Sequence, residues 1–204
     1  MKPSSLGICA LFAALATSGC GEYVREGRGP TSAVVALMQA APGVTPDDLG
    51  GTLNSDVITY VKKTINGNDV LVPTIFNDVG SAMITVDLKD PSLTAPSTAN
   101  QVTFTRYRVE YIRADGRDKQ GADVPYSFDS AVTVTSAPGS PGTAGFELVR
   151  HSAKTEAPLV ALANNLQFVT TIARVTFYGR DHAGNDVTAV GQMGITFGNF
   201  GDPD

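Results

Sequence analysis

From Ser32 onward the chain repeats apolar and polar residues with a period of two. Ala82, Ile84, Val86 and Leu88 interleave with Met83, Thr85 and Asp87; Val187, Ala189, Gly191, Met193, Ile195 and Phe197 interleave with Thr188, Val190, Gln192, Gly194 and Thr196. Successive side chains of a strand point to opposite faces, so this pattern sets one face on a core and the other toward water, as in antiparallel sheets. It predicts nine strands, at 33–39, 57–64, 70–75, 82–88, 102–113, 131–135, 145–150, 170–178 and 187–197. Residues 32–41 (SAVVALMQAA) have helical propensity, but an all-β neighbourhood decides for a strand.

The breakers between these runs have specific chemistry. Asn66-Gly67 predicts a type I′ hairpin turn joining 57–64 to 70–75, because both central positions need positive φ. The segment 181–186 (DHAGND) closes the last hairpin, with Gly184 or Asn185 in the left-handed position, while 91–100 and 136–142 read as longer loops. Within 102–113 the apolar phase slips by one residue between Phe104 and Tyr107, as a β-bulge would require. Helix is expected only at 155–162, where Thr155 can cap, Pro158 fits the first turn, and Leu159 and Leu162 would plug one end of a sandwich. Short strands, regular turns and little helix predict an all-β, antiparallel two-sheet sandwich with Greek-key connections, carrying the 57–75 hairpin as an insertion.

Composition narrows the function classes. The 204 residues are 42% hydrophobic and 17% charged, outside the range of a disordered chain, and two cysteines cannot make a disulfide scaffold. With 15 Lys+Arg against 20 Asp+Glu the formal charge is -5, so the cationic footprint of a nucleic-acid binder is missing and no nucleic-acid partner is expected.

The N-terminus differs in kind from the rest. Lys2 is the sole charged side chain before Glu22, and the apolar run 6–16 would form about 16 Å of helix, half a hydrocarbon core, the length of a signal-peptide core rather than a membrane span. The run ends in Ala16-Thr17-Ser18-Gly19-Cys20, which resembles the lipobox of bacterial lipoproteins, with Thr17 where Leu is usual. That resemblance implies a signal peptide over 1–19, a lipid on Cys20, and an acylated (palmitate-bearing) N-terminus that anchors the chain in the envelope membrane. Cleavage after Ala16 or Ser18, or a structural Cys20, are the competing readings. Removal of 1–19 also removes Cys9 and Lys2, leaving Cys20 as the one cysteine and a charge of 14 - 20 = -6. Gly21 rather than Asp after the cysteine favours the outer membrane by the same resemblance. Residues 20–31 read as a polar, Gly-containing tether and 32–204 as the sandwich domain.

Candidate chemistry is sparse. His151 and His182 are the two histidines; a triad could be drawn on paper from His151 with Ser152 or Ser130 and Asp129, but no nucleophile-elbow motif accompanies it, and no enzyme activity is expected. Asp181, Asn185 and Asp186, or Asp115, Asp118 and Asp123, could offer oxygens to Ca²⁺, yet Asp and Asn are ordinary turn residues. No motif for zinc or a nucleotide occurs, and no cofactor is expected. Arg106 and Arg108 share a strand face opposite Tyr107 and Val109, with Arg113 and Arg117 beyond, so they read as solvated charges or as a patch for an acidic partner or anionic glycan. Tyr60, Lys62 and Lys63 on the inserted hairpin form the other candidate partner surface, since a hairpin outside the sandwich must bury its apolar residues on something.

Two segments carry a fold resemblance. Arg106-Tyr107-Arg108-Val109-Glu110-Tyr111 running into Ala114-Asp115-Gly116 resembles strand C of fibronectin type III and related immunoglobulin-like domains, and 173–187 (ARVTFYGRDHAGNDV) resembles the F–G hairpin of bacterial immunoglobulin-like repeats. The core Trp and the Cys pair of antibody domains are missing from this sequence. With the lipobox, the pattern resembles the small uncharacterised bacterial lipoproteins. It implies a lipid-anchored envelope protein acting as a binding or assembly module, with a carbohydrate-binding or adhesion domain as the alternative.

Overall fold

The computed structural model describes residues 29–90 and 96–201. Ten strands arise from the alternating segments: β1 (Thr31–Ala41), β2 (Thr52–Asp56), β3 (Thr59–Ile65), β4 (Asn68–Thr74), β5 (Asp78–Leu88), β6 (Val102–Ile112), β7 (Phe128–Ser136), β8 (Gly142–Val149), β9 (Val169–Asp181) and β10 (Asp186–Gly198). They form an all-β sandwich of a three-stranded sheet, β1-β5-β8, against a five-stranded sheet, β2-β10-β9-β6-β7, while β3 and β4 form a two-stranded sheet of their own.

The core lies between the two larger sheets, where the inward residues of each strand meet. Ala82, Ile84 and Val86 of β5 oppose Val102, Phe104, Tyr107 and Val109 of β6 and Ala173, Val175 and Phe177 of β9, all buried. Phe146 stands edge-on to Tyr107 and Phe177 with centroids 5.3 and 5.4 Å away, the quadrupole-favoured geometry for packed rings. The expected bulge is present: the β6–β9 register slips between Phe104 and Arg106, which turns Arg106 and Arg108 outward and Tyr107 inward.

The turn chemistry also holds. Asn66 and Gly67 have φ of 52° and 79°, as a type I′ turn demands, and Gly184 takes the left-handed position in the β9–β10 turn. Residues 32–41 belong to a strand, as the all-β surroundings require.

Three expectations are corrected. Strand β2 was not foreseen: TLNSD offers one buried apolar residue, Leu53, and forms because it pairs with β10. That pairing is parallel, so the sandwich is not purely antiparallel. The helix expected at 155–162 is split. A five-residue helix, α1 (His151–Thr155), ends where capping by Thr155 was expected, and a 3-10 turn follows at Leu159–Asn164. Leu159 and Leu162 are buried, as that reading required.

Strand ends define the two poles of the molecule. At one pole lie Gly29, the start of β1 and the β9–β10 turn: a carbon placed on Gly29 would sit 3.1 Å from Cβ of Asn185. At the other lie the end of β10 and the root of the β3–β4 ribbon, where the Val57 amide donates to the Gly198 carbonyl at 2.9 Å.

Candidate functional site

The β3–β4 ribbon is built by alternation on both strands. Register pairs Tyr60 with Pro73, Lys62 with Leu71 and Thr64 with Asp69 on one face, and Val61 with Val72, Lys63 with Val70 and Ile65 with Asn68 on the other. Neither face is covered: Leu71 is 61% exposed, Ile65 50% and Val70 44%, and Tyr60 is also exposed. Lys62 meets Asp69 at 3.3 Å, and Thr64 donates to the same carboxylate at 2.8 Å, so polar contacts hold the ribbon while its apolar side chains stay in water.

A second exposed apolar group lies at the same pole. Phe168 stacks on Phe200 with centroids 5.4 Å apart, Phe168 is 57% exposed, and Leu166 beside it is 90% exposed. The Phe200 amide donates to Asp56 Oδ1 at 3.2 Å, which ties this patch to the segment entering the ribbon.

The arginines are elsewhere, on the outer face of β6. Arg106 and Arg108 grip the two oxygens of Asp129 at 2.7 Å each, Arg108 also reaches Glu110 at 3.3 Å, and the Arg106 guanidinium lies 3.9 Å from the Tyr178 ring centre. The hydrogen bonds that Arg108 donates to Glu110 and Asp129 raise its pKa above the ordinary guanidinium value. Asp115 is similarly held between Arg113 and Arg117, and these guanidiniums keep its carboxyl far below the usual carboxylate range. Each of these four arginines thus has a carboxylate partner within the domain, and the candidate surface on 106 and 108 is separate from that on 60, 62 and 63.

The oxygen-bearing turns are satisfied locally. Asp181 accepts from the Asn185 amide at 2.7 Å and from its side-chain Nδ2 at 2.8 Å, Asp186 accepts from Arg180, and Asp118 accepts from the Arg113 amide. Among the described residues no group of three or more His, Cys, Asp or Glu could hold a metal ion. His151 opens α1 and His182 lies in the β9–β10 turn, 3.4 Å from the Thr103 hydroxyl. Asp129, the acid of the paper triad, is occupied by two guanidiniums.

A cleft of about 210 Å³ between the approach to β7 and α1 is lined by Tyr126, Phe128, Arg150, Ser152 and Glu156. It is smaller than the roughly 300 Å³ at which ligand pockets begin. Its arginine is committed as well, lying 3.8 Å over the Phe128 ring and donating to the Asp129 carbonyl.

One polar cluster escaped sequence reasoning. Asp78, at the start of β5, accepts from Lys154 of α1 at 2.9 Å, from the Ser55 hydroxyl of β2 at 2.6 Å and from the Gly43 amide at 3.0 Å, with both charged side chains 1% exposed. No motif announces it, because Asp78 and Lys154 lie 76 residues apart and outside the strands and the helix that the sequence pattern predicts. Its partners are all protein groups, and it ties four segments together: β5, α1, β2 and the stretch at Gly43.

Cys20 and the segment 1–19 lie outside the described residues, and no described helix is long and apolar enough to cross a membrane. No protein-family model, curated protein or solved structure matches the chain.

Proposed function

We propose that this protein is a non-enzymatic, lipid-anchored module of the cell envelope, held through Cys20, with the outer membrane favoured by Gly21, and that it binds or assembles with another envelope protein. The β3–β4 ribbon carries the binding reading. It exposes Tyr60, Ile65, Val70 and Leu71 on two uncovered faces, and large apolar side chains grouped in water mark interaction surfaces. Each of its strands has one neighbour, so a partner strand can add to either edge, with Pro73 making β4 the poorer template.

An immunoglobulin-like character is part of this proposal. The order β1-β5-β8 against β10-β9-β6 supports it, because it corresponds to strands A-B-E facing G-F-C, with the two segments of sequence resemblance falling on C and on F–G. The absence of a core Trp and a Cys pair leaves the Phe104, Tyr107, Phe146 and Phe177 cluster to fill the centre.

The test is site-specific photocrosslinking in cells, with the reactive residue at Leu71 or at the exposed Gln192 of β10 as control. A discrete adduct from Leu71 and none from Gln192 is expected; equal yields from the two positions refute the ribbon as the binding surface. The glycan-binding alternative draws on one observation, the half-exposed Phe168–Phe200 stack. Under it, Phe168→Ala should abolish retention on purified cell-wall glycan and leave the Leu71 adduct unchanged.

A further inference from the structure

The two poles of the sandwich differ in what they display. The pole at Gly29 carries the polar β9–β10 turn (DHAGND), and its backbone is fastened early: Gly29 is buried, the Pro30 carbonyl accepts from the Lys89 amide at 2.8 Å, and Thr31 is already in β1. The opposite pole carries the ribbon root and the Leu166, Phe168 and Phe200 patch. Strand β10 runs 13 residues from one pole to the other, which at roughly 3.3 Å per residue separates them by about 40 Å.

The tether is short beside that length. From Cys20 to Gly29 is nine residue steps, which can span at most about 30 Å however they are arranged.

We infer that the anchored protein stands with the β9–β10 turn toward its own bilayer and presents the ribbon and the Phe168–Phe200 patch away from it, toward a protein partner in the aqueous space. This rests on lipidation of Cys20. A domain lying on its side against the bilayer would bring the apolar pole to the lipid instead. The charges argue against that: the chain is acidic, and an anionic headgroup layer would not draw its flank down.

Energy transfer to a headgroup acceptor distinguishes these arrangements. The full-length lipidated protein is reconstituted in phosphatidylcholine–phosphatidylglycerol vesicles, with a thiol dye at Ala183→Cys in the β9–β10 turn, at Lys63→Cys in the ribbon, or at Leu166→Cys. Acylation of Cys20 leaves the introduced thiol as the one reactive site. Transfer from position 183 should exceed that from 63 and 166 at least threefold, and a Gly/Ser insertion of about 20 residues after Gly21 should shrink the difference. Equal or reversed transfer in protein that floats with the vesicles overturns the orientation alone. Protein that fails to float because Cys20 carries no lipid overturns the anchor and the orientation together.

Discussion

Removing the ammonium from the Asp78–Lys154 pair would leave a carboxylate with 1% exposure facing one hydroxyl and one amide. Lys154→Met should therefore cost about 3–5 kcal/mol, as broken buried pairs do, and the double change Asp78→Asn, Lys154→Met should return at least half of that because no charge remains uncompensated. Urea denaturation of the three proteins measures it, and a double variant no better than the single one would mean that the charge is not the source of the cost. Tyr111 is a second buried polar group with a defined duty. Leu148 is the extra residue where the β5–β8 ladder slips, and its carbonyl takes the Tyr111 hydroxyl at 2.8 Å. Burial pushes that hydroxyl well above its ordinary value of 10.0. The folded state then keeps a proton that the unfolded chain gives up. The stabilisation is complete below pH 10 and is lost as pH rises above it, by about 1.4 kcal/mol per pH unit. Tyr111→Phe should lower stability near neutrality by about 1–2 kcal/mol and flatten the loss above pH 10 by one proton's worth; an unchanged alkaline slope contradicts it.

At the scale of elements, the ribbon is separable from the sandwich. Thr59 and Thr74 face each other at its root, so replacing residues 60–73 by an Asn-Gly turn closes the gap without moving either neighbour. The shortened protein should melt within about 4 °C of the parent, a shift worth less than 2 kcal/mol for a domain of this size; a cooperative loss of β signal at room temperature would show that the ribbon supports the fold. This hairpin was legible in the sequence because its turn and its alternation are both local. The β6 bulge was legible for the same reason, since a phase slip between Phe104 and Tyr107 is written in adjacent residues. Strand β2 was not, because Thr52, Asn54 and Ser55 have no strand pattern of their own and are recruited by β10, more than 130 residues away in sequence. The α1 helix was displaced for a related reason: Lys154 is drawn inward to Asp78, which places the helix one turn earlier than Thr155 capping would. The candidate site divided along the same line. Alternation put Arg106 and Arg108 on the outer face, while their capture by Asp129 depends on β7 pairing beside β6 and could be read only in three dimensions.

For the whole molecule, the anchor and the fold are expected to be independent. Cys20→Ser should shift the protein from the membrane pellet to the soluble or unprocessed fraction while leaving the melting temperature of the purified domain unchanged, because the core is built by the strands from Thr31 onward. Continued membrane retention with normal processing would contradict lipid attachment. The parallel pairing of β2 with β10 has a mechanical consequence. The N-terminal strands are divided between the layers, β1 on the smaller sheet and β2 on the larger, so each sheet holds one segment of the chain's leading end along its edge. Were the N-terminus anchored and the ribbon bound as proposed, a load between them would run along the strands, and the inter-strand hydrogen bonds, which lie across them, would be strained together rather than opened one by one. The geometry is that of a shear clasp: under such a load, tension is shared across the β1–β5 and β2–β10 ladders before any strand can peel away.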